Sequence, residues 1–421
     1  MMETIEFQKE PATPTLFCDN HRLRRPAASM ALWPLDPQIT FLNHGSFGSC
    51  PVSVLEFQRE IRDRLERHPV QFLARELESF LDEARAELAE FVGAPEKDLV
   101  FVQNATAGVN TVLRSIELET GDELLVTDHE YNACRNALEF AAARARARVV
   151  ICPIPFPLSS ADIVVGAILE RVTPRTRLVL VDHVTSQTGL VLPIERLCSE
   201  LRGREIDVLV DGAHAPGMIP VDLSRLGPAY YTGNCHKWVC APKTAAFLYA
   251  RPDRQAAIRP LVISHGANSP RHDRSRFLIE FAWVGTTDPS AILSVPEALR
   301  FMQSVLPGGW DEVRTRNHEL AVAARVVLCE TLGIKAPCPE DMIGSMASIP
   351  LADGAGGEPA VGPLYLAPLQ DRLRLEYGIE VPVIPWPAPP HRLLRVSAQL
   401  YNSLPQYEFL ARAIRSLLEP V

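Results

Sequence analysis

Lysine is nearly missing from this chain: only Lys9, Lys97, Lys237, Lys243 and Lys335 stand among its 42 basic residues. Chemistry that needs a primary amine therefore has few places to occur. Long apolar runs are missing too, and none reaches the ~20 residues of a membrane-spanning helix, which excludes that class of membrane protein. The opening stretch MMETIEFQKEPATPTLFCDN has no charged segment followed by an apolar core, so no secretory leader is expected. No basic stripe dominates any segment and the net charge is −9, which gives no footprint for a nucleic-acid partner. The nine cysteines form no C-x-x-C pair. They read as buried small hydrophobes or free thiols in a reducing compartment, so a cytoplasmic location is expected. H-E-x-x-H, G-x-S-x-G, G-x-x-x-x-G-K-[ST] and G-x-G-x-x-G are all absent, which disfavours zinc-protease, serine-hydrolase and nucleotide-binding readings.

What is present describes a two-domain globular chain, since 421 residues exceed what one core usually serves. Residues 1–40, rich in proline, arginine and polar residues, read as an arm. Ser53 and Glu56 form a capping-box signature ahead of LEFQREIRDRLERH, which Pro69 closes. A second amphipathic helix stops at Val92, before Gly93 and Pro95. From Leu99 to about Ala250 short apolar runs alternate with helical segments: LVFV, ELLV, RVVI, RLVLVD, IDVLVD and AAFLYA. Continuous Val/Ile/Leu runs suit strands buried on both faces, and the helical spacers imply a mainly parallel sheet. In such sheets ligands bind beyond the carboxyl ends of the strands. A long helical stretch from about Ser294 to Leu332 is expected to bridge to a smaller C-terminal domain. DGAGGEPAVGP, near Gly356, marks a turn inside it. The resulting division is 1–40, 41–300 and 301–421.

Several polar residues follow directly on those apolar runs. Lys237 sits among aromatics and small residues in YYTGNCHKWVCAPK, where partial desolvation would favour a Schiff-base lysine. A solvated lysine on a polar loop is the competing reading. Asp211, ending VLVD, could hold a protonated pyridine nitrogen or simply cap the next helix. His214 could reach a phenolic oxygen or be structural. Asn104-Ala-Thr-Ala-Gly108 opens a helix, and its free N–H groups together with the Thr106 hydroxyl form a candidate phosphate cradle. His129-Glu-Tyr131 follows ELLV, where an aromatic ring could stack on a cofactor and Tyr131 could donate a proton. Arg395, in RLLRVSAQLYN, could grip a carboxylate bidentately, though most arginines are solvated surface groups.

The order of these features is more telling than any one of them. FLNHGSFG, QNATAGVN, TDHEYNA, VDGAHAPG, NCHKW, WVGTTDPSA and RVSAQLYN resemble the class V aminotransferase-like enzymes, which use pyridoxal 5′-phosphate (PLP). The nearest likeness is to the isopenicillin N epimerase branch. They run from Phe41 to Asn402, nearly the whole chain beyond the arm. The resemblance implies an aspartate aminotransferase-like α/β fold, with a mainly parallel large domain and a smaller α+β C-terminal domain. It also implies that Lys237 carries PLP as a Schiff base, with Asp211 on the ring nitrogen and His214 near the phenolic oxygen. Thr106, the Ala105 amide and His236 would hold the phosphate, and His129 would stack on the ring beside Tyr131 as a possible acid. Thr286 would reach the phosphate of a partner subunit's cofactor, which implies a homodimer. Arg395 would bind the carboxylate of an amino-acid or peptide substrate, and Asn43 and His44 would line the entrance. Specificity is expected from side chains near Asn43, Trp283 and Trp386.

Two departures bear on activity. Related cysteine desulfurases carry a mobile cysteine before the late arginine, but this chain has none from Glu340 onward, which argues against persulfide formation. Thr185-Ser186-Gln187 replaces the Ser-Asn of many relatives, which puts a cofactor contact there in doubt. Reaction at Cα as an epimerase or racemase is the expected function. A C–S lyase acting on a cysteine-derived sulfoxide or an aminotransferase is the alternative, and a PLP-fold binder without turnover is the reading from another class.

Overall fold

The computed structural model describes residues 27–354 and 366–418. Most of the arm and the turn near Gly356 lie outside those residues. Seven strands build the central sheet: β1 (Leu99–Val102), β2 (Glu123–Thr127), β3 (Arg148–Cys152), β4 (Thr176–Asp182), β5 (Asp207–Gly212), β6 (Tyr230–Asn234) and β7 (Ala246–Ala250). Their order is β1-β7-β6-β5-β4-β2-β3, and only β7 runs against the others. Alternate residues feed two separate cores. Val179, Val181, Val208 and Val210 join one, and Leu178, Leu180 and Leu209 the other. That split is why the runs read as continuously apolar: both faces of the sheet are covered.

Two sequence expectations about this sheet need correction. RVVI does form β3, but at the sheet's edge, where Ile151 stays 47% exposed. The strand β6 was not anticipated, because Tyr-Tyr-Thr-Gly-Asn lacks a branched aliphatic run, yet all five of its residues are buried.

Helices surround the sheet: α2 (Leu77–Phe91), α3 (Ala105–Ser115) and α4 (Asn132–Ala145) pack on its strands, and α1 (Val52–Arg67) packs outside them on the helical segment 290–304. The capping box expected at α1 does not form. Pro51, in extended backbone, occupies the cap position and Ser53 is already inside the helix, which starts two residues earlier than a Ser53 cap would place it. Gly93 does terminate its helix in the left-handed region, at φ 62°. In α3, Gly108 lies directly over the Thr232 side chain of β6, where a Cβ would collide. This close approach brings the start of α3 down to the strand ends.

The expected Ser294–Leu332 helix is two helices, α5 (Val295–Ser304) and α6 (Gly309–Leu332). Pro307-Gly308 separates them, because proline cannot continue the first helix. The smaller C-terminal domain carries an antiparallel sheet of β8 (Met346–Leu351), β9 (Val383–Pro385) and β10 (Arg392–Ser397) in the order β9-β10-β8. The helix α7 (Leu404–Leu418) packs on α6 behind it. Thr40–Phe41 pairs with Ile379–Glu380, which ties the segment before α1 to this domain and aims residues 43–48 at the strand ends. Among the described residues, no helix is long and apolar enough to cross a membrane.

Candidate active site

The site sits beyond the carboxyl ends of β2, β4, β5 and β6, closed on one side by β10. Lys237 follows β6, and its Nζ lies 3.0 Å from His214 Nε2, in the loop after β5. Trp238 Nε1 donates to His214 Nδ1 at 3.4 Å. Burial, then the positive charges of Lys237 and Arg395, pull His214 well below the usual histidine range. A neutral imidazole that accepts at Nδ1 keeps its proton on Nε2, so His214 donates to the Lys237 lone pair. The lysine is itself suited to accept. Burial and the Arg395 charge lower it to about 7, against the opposing pull of Asp211. It is a nucleophilic amine near neutral pH, as a Schiff-base lysine must be.

Condensation of the cofactor-free protein with PLP accelerates as pH rises to about 7 and then levels off. Below that point it slows by about tenfold per unit, because only the deprotonated amine attacks. Stopped-flow absorbance measures it, and a midpoint near the ordinary lysine value of ~10.4 would contradict it.

Asp211, at the end of β5, is 2% exposed. Its Oδ1 accepts from the Ala213 amide and its Oδ2 from the Cys134 thiol, each at 3.0 Å. Two donors leave a carboxylate room for a further one. His129 is fully buried after β2, with Nε2 bonded to the Ile154 carbonyl at 2.9 Å and Nδ1 to Thr188 Oγ1 at 2.8 Å. Nε2–H therefore donates and Nδ1 accepts, which fixes a neutral ring whose centroid lies 4.6 Å from that of Trp386. Burial lowers its pKa. Tyr131 caps α4 and is 40% exposed. Burial of its hydroxyl, then the nearby Cys134 and Asp211, raise its pKa, while Arg395 opposes, so it is a protonated phenol.

Arg395 comes from β10 and is 3% exposed. Its Nη1 donates to the Ser186 carbonyl at 2.6 Å and its Nη2 to Ser46 Oγ at 3.0 Å, while its buried Nε has no partner. Burial lowers it only to about 10, so it stays charged. Among the described residues no carboxylate pairs with it. A buried guanidinium without an anion is costly unless a ligand supplies one.

The structure relocates several residues expected here. The Ala105 amide is not free for a phosphate: it donates to Asn234 Oδ1 at 2.8 Å. Thr106 keeps its amide and hydroxyl unpartnered among the described residues, at the positive end of α3, so an anion's donors there come from Thr106. His236 bonds the Ala245 carbonyl through Nδ1 at 3.3 Å, and burial lowers it to about 4. Its Nε2 then carries no proton and donates to a phosphate only if the ring is protonated. His44 does not line an entrance. It is fully buried, with Nδ1 on Tyr401 Oη at 2.8 Å and Nε2 on the Lys237 carbonyl at 2.9 Å. It braces the lysine's backbone from behind. Asn43 Oδ1 accepts from Ser46 Oγ, which supports the hydroxyl that holds Arg395. Thr286 lies on an exposed turn. Trp386 belongs to the His129 cluster, whereas Trp283 packs on a separate one with Phe72 and Leu77.

Sequence reasoning missed Ser46, Thr188, Asn234 and Trp238, and gave Ser186 only a cofactor contact; each acts by orienting a flagged neighbour. Ser186 lies in the departing Thr185-Ser186-Gln187 stretch. Its role here is to hold Arg395, while Thr185 Oγ1 turns inward to Thr188 and the Leu190 amide.

The residues fit PLP. An unpartnered donor pair on Thr106, a carboxylate with spare capacity on Asp211 and a near-neutral amine on Lys237 match the cofactor's phosphate, ring nitrogen and aldehyde. Fold and site together define a PLP-dependent enzyme of aspartate aminotransferase-like architecture. The chain belongs to the class V aminotransferase family, whose model matches residues 57–358. It is 37% identical over 397 residues to isopenicillin N epimerase of Amycolatopsis lactamdurans, covering 91% of this chain and 96% of that protein. It is 33% identical to a probable chloroplastic L-cysteine desulfhydrase of Arabidopsis thaliana, covering 91% and 84%. Among solved structures, the Escherichia coli cysteine desulfurase CsdA matches with TM-score 0.74 at 21% identity over 92% of this chain and 97% of that one. A variant of the enzyme C-DES with glycine covalently linked to its PLP matches with TM-score 0.73 at 22% identity, over 90% and 96%.

Proposed function

We propose that this enzyme exchanges and inverts the Cα proton of an amino acid or a peptide-linked amino acid, as an epimerase-like member of its family. The observation that carries the reading is Arg395, a buried and charged guanidinium with no acidic partner among the described residues, close to a lysine neutral near pH 7. Arg395 binds the substrate α-carboxylate, with Ser46 and Ser186 holding its plane. His214 Nε2–H orients Lys237 Nζ. With PLP held by Lys237, Nζ would be placed to take the Cα proton of a bound substrate, and Tyr131 Oη, a protonated phenol, would be placed to return one. When bound, PLP supplies an electron sink for the pair left at Cα, which Asp211 sustains by keeping the ring nitrogen protonated. Similarity to isopenicillin N epimerases supports inversion.

A C–S lyase is the second reading. The same Tyr131 phenol suits protonation of a leaving sulfur, and relatives include desulfhydrases and a hercynylcysteine sulfoxide lyase. A homodimer, in which Thr286 serves the neighbouring site, and a cytoplasmic location belong to the proposal. The eight described cysteines, all free and buried, are in keeping with a reducing compartment.

The experiment is incubation of the PLP-loaded protein in heavy water with amino acids, cysteine sulfoxides and short peptides, read by NMR and chiral chromatography. Deuterium at Cα with inversion and no loss of substrate is the expected result. Pyruvate or sulfur release would establish the lyase instead, and silence across the panel would favour a non-catalytic binder.

A further inference from the structure

Beneath Asp211 lies a group of acids that the proposed mechanism does not use. Asp182 ends β4, and Asp211 is its register partner on β5, so the two carboxyls stand side by side. Glu130, between β2 and α4, joins them, and Cys134 stands in the first turn of α4. Ligand atoms of Glu130, Cys134 and Asp211 all lie within 4.8 Å of one another. The four are buried, with Glu130 5%, Asp182 2%, Asp211 2% and Cys134 0% exposed.

Donors are too few for three carboxylates. Asp211 takes the Ala213 amide and the Cys134 thiol. Neither oxygen of Glu130 nor Oδ2 of Asp182 accepts a hydrogen bond of good geometry, although the Tyr131 amide lies near both acids. Lys237, which also faces Asp211, bonds His214 rather than any of these acids, and the Tyr131 and Tyr231 hydroxyls face Asp211 as well, the latter bonded to His183. Ionised carboxylates only accept hydrogen bonds, so the missing donor must be a proton on one of them. Among them, Glu130 alone has both oxygens bare.

We propose that Glu130 is a positioning residue that keeps its proton and donates it into the Asp182–Asp211 pair. It leaves Asp211 ionised and aligned toward the cofactor's ring nitrogen without adding a further negative charge. Burial raises the pKa of Glu130, Asp182 and Asp211 alike, whereas the contact between Glu130 and Asp182 raises Glu130 and lowers Asp182, the direction this requires. The function of this proton rests on the PLP reading, whereas its presence on Glu130 does not.

The test uses Glu130→Gln, a neutral donor of the same shape, and Glu130→Leu, which has no polar group. Infrared difference spectra of the cofactor-free proteins, wild type minus Glu130→Gln, are expected to show a protonated-carboxyl stretch at neutral pH. After loading with PLP labelled with nitrogen-15 in the ring, Glu130→Gln is expected to keep the wild-type ring-nitrogen resonance and cofactor affinity. Glu130→Leu is expected to weaken cofactor binding by about tenfold, the cost of one buried hydrogen bond to a charged group. No protonated-carboxyl band, or a loss of affinity in Glu130→Gln as large as in Glu130→Leu, would overturn the proposal. Failure of the wild type to take up PLP would defeat the cofactor reading instead, and the infrared band would still decide the state of Glu130.

Discussion

Lys237→Ala is expected to lower turnover by at least about a thousandfold, because one side chain serves both as cofactor anchor and as proton carrier. The fold should survive it. The amine's hydrogen bond is to His214, and burying a lysine in this pocket is itself unfavourable, as its pKa of about 7 shows. A thermal melt at or above the wild-type temperature, alongside lost turnover, is the pattern that separates a chemical role from a structural one. Residual turnover within about tenfold of wild type would mean that another group performs the proton transfer.

Asp211→Asn is expected to cost about 10²–10³-fold in turnover, the scale of removing one preorganised electrostatic partner. The amide keeps the shape of the side chain, and its oxygen can still accept from the Ala213 amide. What it lacks is the negative charge that favours a protonated ring nitrogen. Ring-nitrogen chemical shifts measured beside steady-state rates tie the loss to that proton. An unchanged shift with normal turnover would remove Asp211 from the mechanism.

Much of this site could be read from the chain, for a physical reason. A residue directly after a buried apolar run must emerge at a strand's carboxyl end, so Asp211, His129 and the α3 turn were placed by the run before them. The scarcity of lysine did the same for Lys237. What escaped was orientation. The Ala105 amide is occupied by Asn234, whose strand β6 has no aliphatic run to announce it. His44 and Asn43 sit one residue apart yet face different partners, a buried tyrosine and a serine on the arginine's side. Which way each points depends on Thr40–Phe41 pairing with Ile379–Glu380, a contact across more than three hundred residues that no local pattern reveals. Glu130 and Asp182 were missed differently. RLVLVD and IDVLVD both end in aspartate, and only the register of β4 against β5 shows that the two acids are neighbours.

The most direct measurement is an absorbance spectrum of the PLP-loaded protein before and after borohydride reduction, followed by peptide mapping. A yellow protein is expected whose colour is lost on reduction, with the phosphopyridoxyl group fixed on the peptide that contains Lys237. A label on Lys243 or any other lysine, or a protein that takes up no PLP, would contradict it.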